Sequence, residues 1–489
     1  MRGRYPLKLA VGVAAITLLA AGCSSGGGNE SSSSGSSDAE ITVWWGNPEN
    51  PLVPANTTEV QGGKVIDAVF TGLINYDTKT GKEVLANAES IEPNADSTVY
   101  TIKLRSGWKW HDGTPVVAQD YVDAWNYAAY SPNGMQNGTF MADIKGYEDV
   151  HTEDPDGTEG PQKAPEPKAK EMSGLKAVDD NTFEVTLNGP SNLWPLKTGY
   201  SAFMPLPKKF YDDPEAFGKA PIGNGPFKFV SWTENQQLKV TRYDDYQGSD
   251  KPKIKDVTFK VYQEDTAAYA DVQAGNLDFL DQVPAATLQG EKYKADFGDR
   301  SINKPVAVSD MLEFPKYRKE YQNAKFRQAI SVAIDRDLII EKIFANSRIP
   351  MDGWVNPNVA GFKDGACGDL CKFDPTRAKQ LLSEAGVTVS SDGKFTSNGV
   401  TSTLSIQYNA DASHKDWVDA TCNSIQTTLG ITCKGKPIPT FGEARQIIDE
   451  RKATSMFRSG WQADYPHIEN WLNPLLRTGA SSNDGEYSN

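Results

Sequence analysis

An α/β fold is what this sequence predicts, and three observations carry the prediction. Stretches with β-type alternation, such as Val99–Leu104 and Thr182–Leu187, are interleaved with helical stretches of about 10–15 residues that repeat apolar positions at helical spacing. About 450 residues remain after a Ser/Gly-rich N-terminal segment, enough for two or three domains with substantial cores. No fixed-period repeat is visible, so the chain is not read as a solenoid or propeller.

The elements follow in order. Glu40–Trp45 alternates and is rich in β-formers, so it reads as a strand; a proline-rich loop from Gly46 to Pro54 follows. Val65, Ile66, Val69, Phe70 and Leu73 sit at helical spacing and predict an amphipathic helix over Gly63–Leu73. Ile74–Tyr76 and a turn at Asp77–Gly81 open a β-rich region containing the strand Val99–Leu104. Asp112-Gly113 is a turn signal, and beside it His111 and Asp112 read better as a turn than as an acid/base pair. Thr114-Pro115 predicts the cap of a helix running to about Tyr130. From His151 to Lys170 the chain is rich in Pro, Glu, Asp and Lys, the composition of an exposed insertion loop. Ile222–Phe227 holds two glycines but lacks the Gly-Lys-Ser/Thr ending and precedes a strand, so it is no phosphate loop. Strands are expected at Leu238–Arg242 and Ile254–Tyr262, a helix over Asp265–Ala274 ending at Gly275, and a strand over Leu277–Val283.

A second body begins near Val306. Ala324–Phe344 predicts one or two core helices, and Asp374-Pro375 opens another that ends at Gly386. Leu404–Tyr408 is a strand leading to a loop with His414; a helix over Trp417–Leu429 and a strand opening at Ile431 follow.

Composition narrows the functional classes. The formal charge is −14 without basic blocks, which argues against nucleic acid or anionic lipid as the main partner. Four cysteines form two close pairs, Cys367/Cys371 and Cys422/Cys433; local disulfides are the default outside the cell, with a zinc tetrad as the weaker alternative. Four histidines without a His-Glu-x-x-His helix give catalytic zinc little support, and no Gly-x-Ser-x-Gly elbow is present; no metal and no cofactor are expected.

The most informative stretch is Arg458–Pro466. It places a guanidinium and a carboxylate six residues apart with Gly460, Trp461, Gln462 and Tyr465 among them. Two readings stand at this point: a site for a zwitterion, or a buried salt bridge beside core aromatics.

At the N-terminus, Arg2 and Arg4 precede an apolar run from Leu9 to Ala21, too short to span a bilayer and suited to a signal peptide over residues 1–22. Leu19–Cys23 resembles the bacterial lipobox, with Ala20 where Leu is usual, which implies lipidation at Cys23; residues 23–38 then read as a flexible tether.

Taken together, the chain resembles the extracellular solute-binding proteins of bacterial ABC importers, peptide/nickel-binding family 5, in its oligopeptide-binding branch. The resemblance rests on Leu104–Pro115 with Ala118–Asp120, Gly223–Phe227, Asn323–Ile330 with Ala333–Arg336, Asp374–Gly386, and Gly460–Pro466 with Asn470–Asn473. It implies a two-lobed periplasmic-binding-protein-like fold of the class II type with an extra domain inserted in the first lobe. By that template lobe I is 39–58 with 189–305, the inserted domain is 59–188, and lobe II is 306–489. The family's C-terminal return to lobe I is not found before Asn489, which is read as truncation or a lobe completed differently.

By resemblance, Asp464 holds a peptide's ammonium and Arg458 the carboxylate of a short peptide, while His414 serves a longer one. Phe441 flanks the side-chain pockets, and Glu49 is a further candidate on position alone. A Lys that some relatives use for the shortest ligands aligns with Phe344, which puts dipeptide binding in doubt. The implied protein is no enzyme but a monomeric receptor, lipid-anchored at the extracellular face of the cell membrane, that passes oligopeptides to a permease. A nickel chelate, a sugar or a signalling peptide is the alternative ligand, and a lipoprotein peptidase or cell-wall enzyme the alternative class.

Overall fold

The computed structural model describes residues 38–153 and 163–488. The expected signal peptide, Cys23 and nearly all of the tether lie outside the described residues, as does most of the acidic stretch within the insertion loop. The first strand, β1 (Glu40–Trp45), has its expected bounds. Helix α1 (Val60–Val69) buries Val65, Ile66 and Val69 but starts and ends earlier than the apolar spacing predicts. Glu59 caps its start by accepting from Gly62 N at 2.8 Å. Its end is fixed by tertiary packing: Gly225 N donates to Val69 O at 2.8 Å, and a Cβ on Gly223 would come within 1.9 Å of the same oxygen. Between these glycines Asn224 accepts from Thr71 N and donates to Thr71 O, both at 2.9 Å. The Gly-Asn-Gly motif is thus a clamp on the chain leaving α1.

β2 (Ala88–Pro93) and β3 (Val99–Leu104) lead to α2 (Ala118–Ala129). The expected start at Thr114-Pro115 is corrected: Pro115 makes a β-bridge with Lys109. Asp120 instead sets the helix start by accepting from Val117 N and Trp110 Nε1, both at 3.0 Å. His111 is structural, its ring nitrogens meeting Gly223 N and Gly225 O. β4 (Leu175–Asp179) and β5 (Thr182–Thr186) complete an antiparallel sheet in the order β2-β3-β5-β4. β6 (Phe227–Thr233), β7 (Gln237–Arg242) and β8 (Asp256–Val261) form a second sheet ordered β1-β8-β7-β6, with β1 parallel to β8. α3 (Asp265–Ala274) ends at Gly275 with φ +78°, a left-handed cap that favours glycine. The strand expected over 277–283 is absent among the described residues. Only Phe279 bridges β1 at Val43, and Asp278 ties this segment to Thr42 through its side chain. Both sheets share one core that includes Trp45, Trp125, Trp194, Phe203 and Phe259.

The second body has its own core, built on Phe326, Ile330, Leu381, Ile406, Val418 and Met456. It begins with β9 (Val308–Glu313), followed by α4 (Ala324–Val332) and α5 (Arg336–Phe344). The long apolar run divides into two helices because Asp335 caps the second, accepting from Leu338 N at 3.0 Å. α6 (Pro375–Glu384) is capped by Asp374. β10 (Leu404–Asn409), α7 (Lys415–Leu429), β11 (Cys433–Ile438), α8 (Phe441–Asp449), β12 (Met456–Gln462) and α9 (Glu469–Leu476) follow, after three short strands between residues 388 and 402. Their sheet is ordered β9-β12-β10-β11, with β12 antiparallel to β9 and parallel to β10. Disulfides join Cys367 to Cys371 and Cys422 to Cys433, the latter tying α7 to β11. Among the described residues no helix is long and apolar enough to cross a membrane. Nor does any group of three or more His, Cys, Asp or Glu among them have the arrangement of a metal site.

Candidate ligand-binding site

One cleft of about 2330 Å³ runs between the two bodies, well above the roughly 300–1,000 Å³ of an ordinary small-molecule pocket. Glu49, His414, Phe441, Arg458, Gly460, Trp461, Gln462 and Asp464 all line it. Its second-body wall is built on β12. Side chains alternate across a strand, so Arg458, Gly460 and Gln462 share one face. Asp310 of β9 stands directly opposite Gly460, which makes it the diagonal neighbour of Arg458 on that face. Arg458 Nη2 donates to Asp310 Oδ1 at 3.2 Å, and Arg348 Nη1 pairs with Asp310 Oδ2. Glycine at 460 leaves room for this arrangement: a Cβ there would lie 3.0 Å from Arg458 Nη2 and would crowd that guanidinium. Burial raises the Asp310 carboxyl, but Arg458 and Arg348 outweigh it and hold the group below its usual range.

Asp464 lies beyond the end of β12, where the chain crosses to the first body. Asn470, fully buried at the start of α9, holds it: Asn470 Nδ2 donates to Asp464 Oδ2 at 2.7 Å, and Asp464 N donates to Asn470 Oδ1 at 2.8 Å. Trp461 Nε1 donates to the same Oδ1 at 3.1 Å, so that ring is fixed by the clamp that positions the carboxylate. The neighbouring Tyr465 is part of the first body's core, and Glu469 pairs with Lys197 of that body at 2.8 Å. Desolvation in the depth of the cleft pushes Asp464 up to about 7, against hydrogen bonds from Asn470 and Tyr200 that act the other way. Asp464 therefore has polar neighbours and no cation partner among the described residues, and Arg458 has Asp310: the two do not pair with each other.

His414 is buried, and Trp417 Nε1 donates to its Nδ1 at 3.2 Å. Burial, then the charge of Arg458, depresses its pKa to about 3. It is a neutral imidazole with its proton on Nε2, a donor rather than a cation. Phe441 opens α8, with its N–H donated to Asp411 Oδ2 at 3.0 Å. Glu49 leaves the loop after β1; burial raises it to about 7 even though Arg445 of the second body acts to lower it. Sequence reasoning missed Asp310, Arg348, Asn470 and Tyr200. The available signals were an aspartate inside the stretch Val308–Glu313 and the place of Asn470 in the Asn470–Asn473 stretch that follows Gly460–Pro466.

Comparison with known proteins gives a consistent picture. The family model described as bacterial extracellular solute-binding proteins, family 5 Middle, matches residues 83–483. The oligopeptide-binding protein OppA of Bacillus subtilis (strain 168) is 26% identical over 451 residues, covering 90% of this chain and 77% of the relative. Among solved structures, OppA of Burkholderia pseudomallei superposes with a TM-score of 0.79 at 24% identity, covering 92% of this chain and 85% of that one. The murein tripeptide binding protein MppA of Escherichia coli gives 0.79 at 24% identity, over 92% and 84%. The likeness to these structures is one of fold: a two-lobed, periplasmic-binding-protein-like α/β architecture.

Proposed function

The chain belongs to the family 5 bacterial extracellular solute-binding proteins, which are receptors rather than enzymes, and from that premise we propose that its cleft takes oligopeptides for an ABC importer. The observation that carries this reading is the separation of Asp464 from Arg458 along one cleft wall, each held by neighbours other than the other. Six residues of extended chain reach at most about 20 Å, and three to five residues of extended peptide span roughly 10–18 Å. A peptide's ammonium at Asp464 and its carboxylate at Arg458 would then set register by charge. Main-chain hydrogen bonds would hold the ligand irrespective of its side chains, which a wide, hydrated cleft accommodates. The names of the relatives, oligopeptide- and murein-tripeptide-binding, favour the same class.

His414 is assigned a neutral donor role toward the carboxylate of a longer ligand, Phe441 an apolar flank, and Glu49 a secondary contact from the first body. Domain limits are proposed as lobe I 39–58 and 189–305, the inserted domain 59–188, and lobe II from 306. Closure would work as a population shift, because only the closed form lets a ligand touch both lobes. Lipidation at Cys23 would tether the receptor, as a monomer, at the outer face of the membrane beside its permease. Native mass spectrometry with a mixture of di- to hexapeptides, a nickel chelate and a sugar tests the reading. It expects uncleaved peptides of three to five residues in the complex; selection of the chelate or sugar, or cleaved products, would refute it.

A further inference from the structure

Two guanidinium groups converge on one carboxylate in the cleft wall. Asp310 receives Arg458 on Oδ1 at 3.2 Å and Arg348 on Oδ2, and all three side chains are partly open to the cleft. Arg348 is fixed a second way, with its guanidinium 3.9 Å from the centroid of the Phe344 ring. The charged side chains around Asp310 are these two arginines, together with a His414 that stays neutral. Two cations and one anion leave a net positive charge, one more guanidinium than Asp310 needs. Each guanidinium carries five donors and Asp310 takes one from each, while Arg458 Nε is buried with no hydrogen-bond partner among the described residues. A purely structural ion pair needs one arginine. A pair held by a shared carboxylate can instead receive a second carboxylate from the cleft, with charge-assisted hydrogen bonds from both forks.

We infer that Arg348 is a specificity-determining residue that receives the ligand's free C-terminal carboxylate together with Arg458, with Asp310 positioning both guanidinium groups. This rests on the peptide-receptor reading and deepens it. The cation comes from the irregular segment four residues beyond Phe344 and stacks on that ring, so a cation stands over the position whose aromatic side chain puts the shortest ligands in doubt.

The test is calorimetric titration of the protein, of Arg348→Met and of Arg348→Lys with one tripeptide as its free acid and as its C-terminal amide. The wild type is expected to favour the acid by about 30-fold or more. Arg348→Met is expected to lose about 10- to 100-fold for the acid and less than about 3-fold for the amide, with Arg348→Lys recovering part of the loss. Equal weakening of acid and amide by Arg348→Met, or no change in either, overturns the inference while leaving the receptor reading in place. Failure of the wild type to bind either peptide overturns the receptor reading and the inference with it. Should Arg348→Met melt well below the wild type, Arg348→Gln provides the neutral variant for the same comparison.

Discussion

Asp464→Asn separates the charge at position 464 from its shape. An ammonium about 4 Å from that carboxylate gains about 4 kcal/mol at an effective dielectric constant of 20. The carboxyl must first be ionised, and with its pKa near 7 this costs about 0.4 kcal/mol at pH 7 but about 2.7 kcal/mol at pH 5. Affinity for a free-amine peptide should therefore fall about 50-fold from pH 7 to pH 5. Binding at pH 7 should release about half a proton, because the bound ammonium fixes the charged form. The groups facing Asp464 are Asn470, Tyr200, Tyr76 and Tyr465, none of which titrates in that range; Glu49, raised to about 7 in the same cleft, does, so the Asp464→Asn comparison is what assigns the effect to Asp464. Asp464→Asn should weaken binding about 30-fold or more at pH 8 and flatten the pH profile.

The apo protein should show the opposite effect on stability. Asp464 titrates higher folded than unfolded, so the native state binds more protons between about pH 4 and 7, and stability declines as pH rises through that window. Asp464→Asn removes Asp464's share of the decline, the rest coming from carboxyls such as Glu49 and Asp67 that burial also raises, and should stabilise the unliganded protein at pH 8 by about 1–3 kcal/mol, allowing for solvent in the cleft. Calorimetry in buffers of different ionisation enthalpy, with parallel thermal melts, reads both effects. A pH-independent wild type, or an Asp464→Asn variant that binds as tightly, would mean that the Asp464 charge does not hold the ligand's ammonium.

Other positions give equally direct expectations. Asn224→Ala removes two buried hydrogen bonds to Thr71 and should cost about 2–4 kcal/mol in denaturant unfolding, and Gly223→Ala more, since its Cβ meets the Val69 carbonyl. His414 should show no protonation step between pH 5 and 8 by NMR, and His414→Gln, which keeps a neutral donor, should hold tripeptide affinity within about 3-fold. Reducing Cys422–Cys433, which closes a short loop, should lower stability by about 2–3 kcal/mol while leaving peptide binding intact.

Much of the fold was legible because its signals are local. Strand alternation placed β1 and β3, and the Asp-Pro cap with Gly386 placed α6. The misplacements occur where tertiary contacts override local preference. α1 stops at Val69 because the Gly223–Gly225 clamp takes its carbonyl, and Thr114-Pro115 joins a bridge with Lys109 while Asp120 starts α2. The apolar run after Gly275 looked like a strand but contributes a single bridge, its backbone bonds to β1 confined to Asp278 and Phe279 and supplemented by the Asp278 side chain. In the cleft, the aspartate and arginine of one short stretch could be found by chemistry and spacing. Their partners could not: Asp310 lies 148 residues from Arg458 and meets it only through the β9–β12 register. Arg348 comes from the segment after α5, and Tyr200 from the other body.

The most direct test of the account is a calorimetric comparison of one tripeptide with free ends against the same peptide acetylated and amidated. Charge recognition at both ends of the ligand predicts that capping weakens binding by about 100-fold or more. Equal affinities for the two would contradict it.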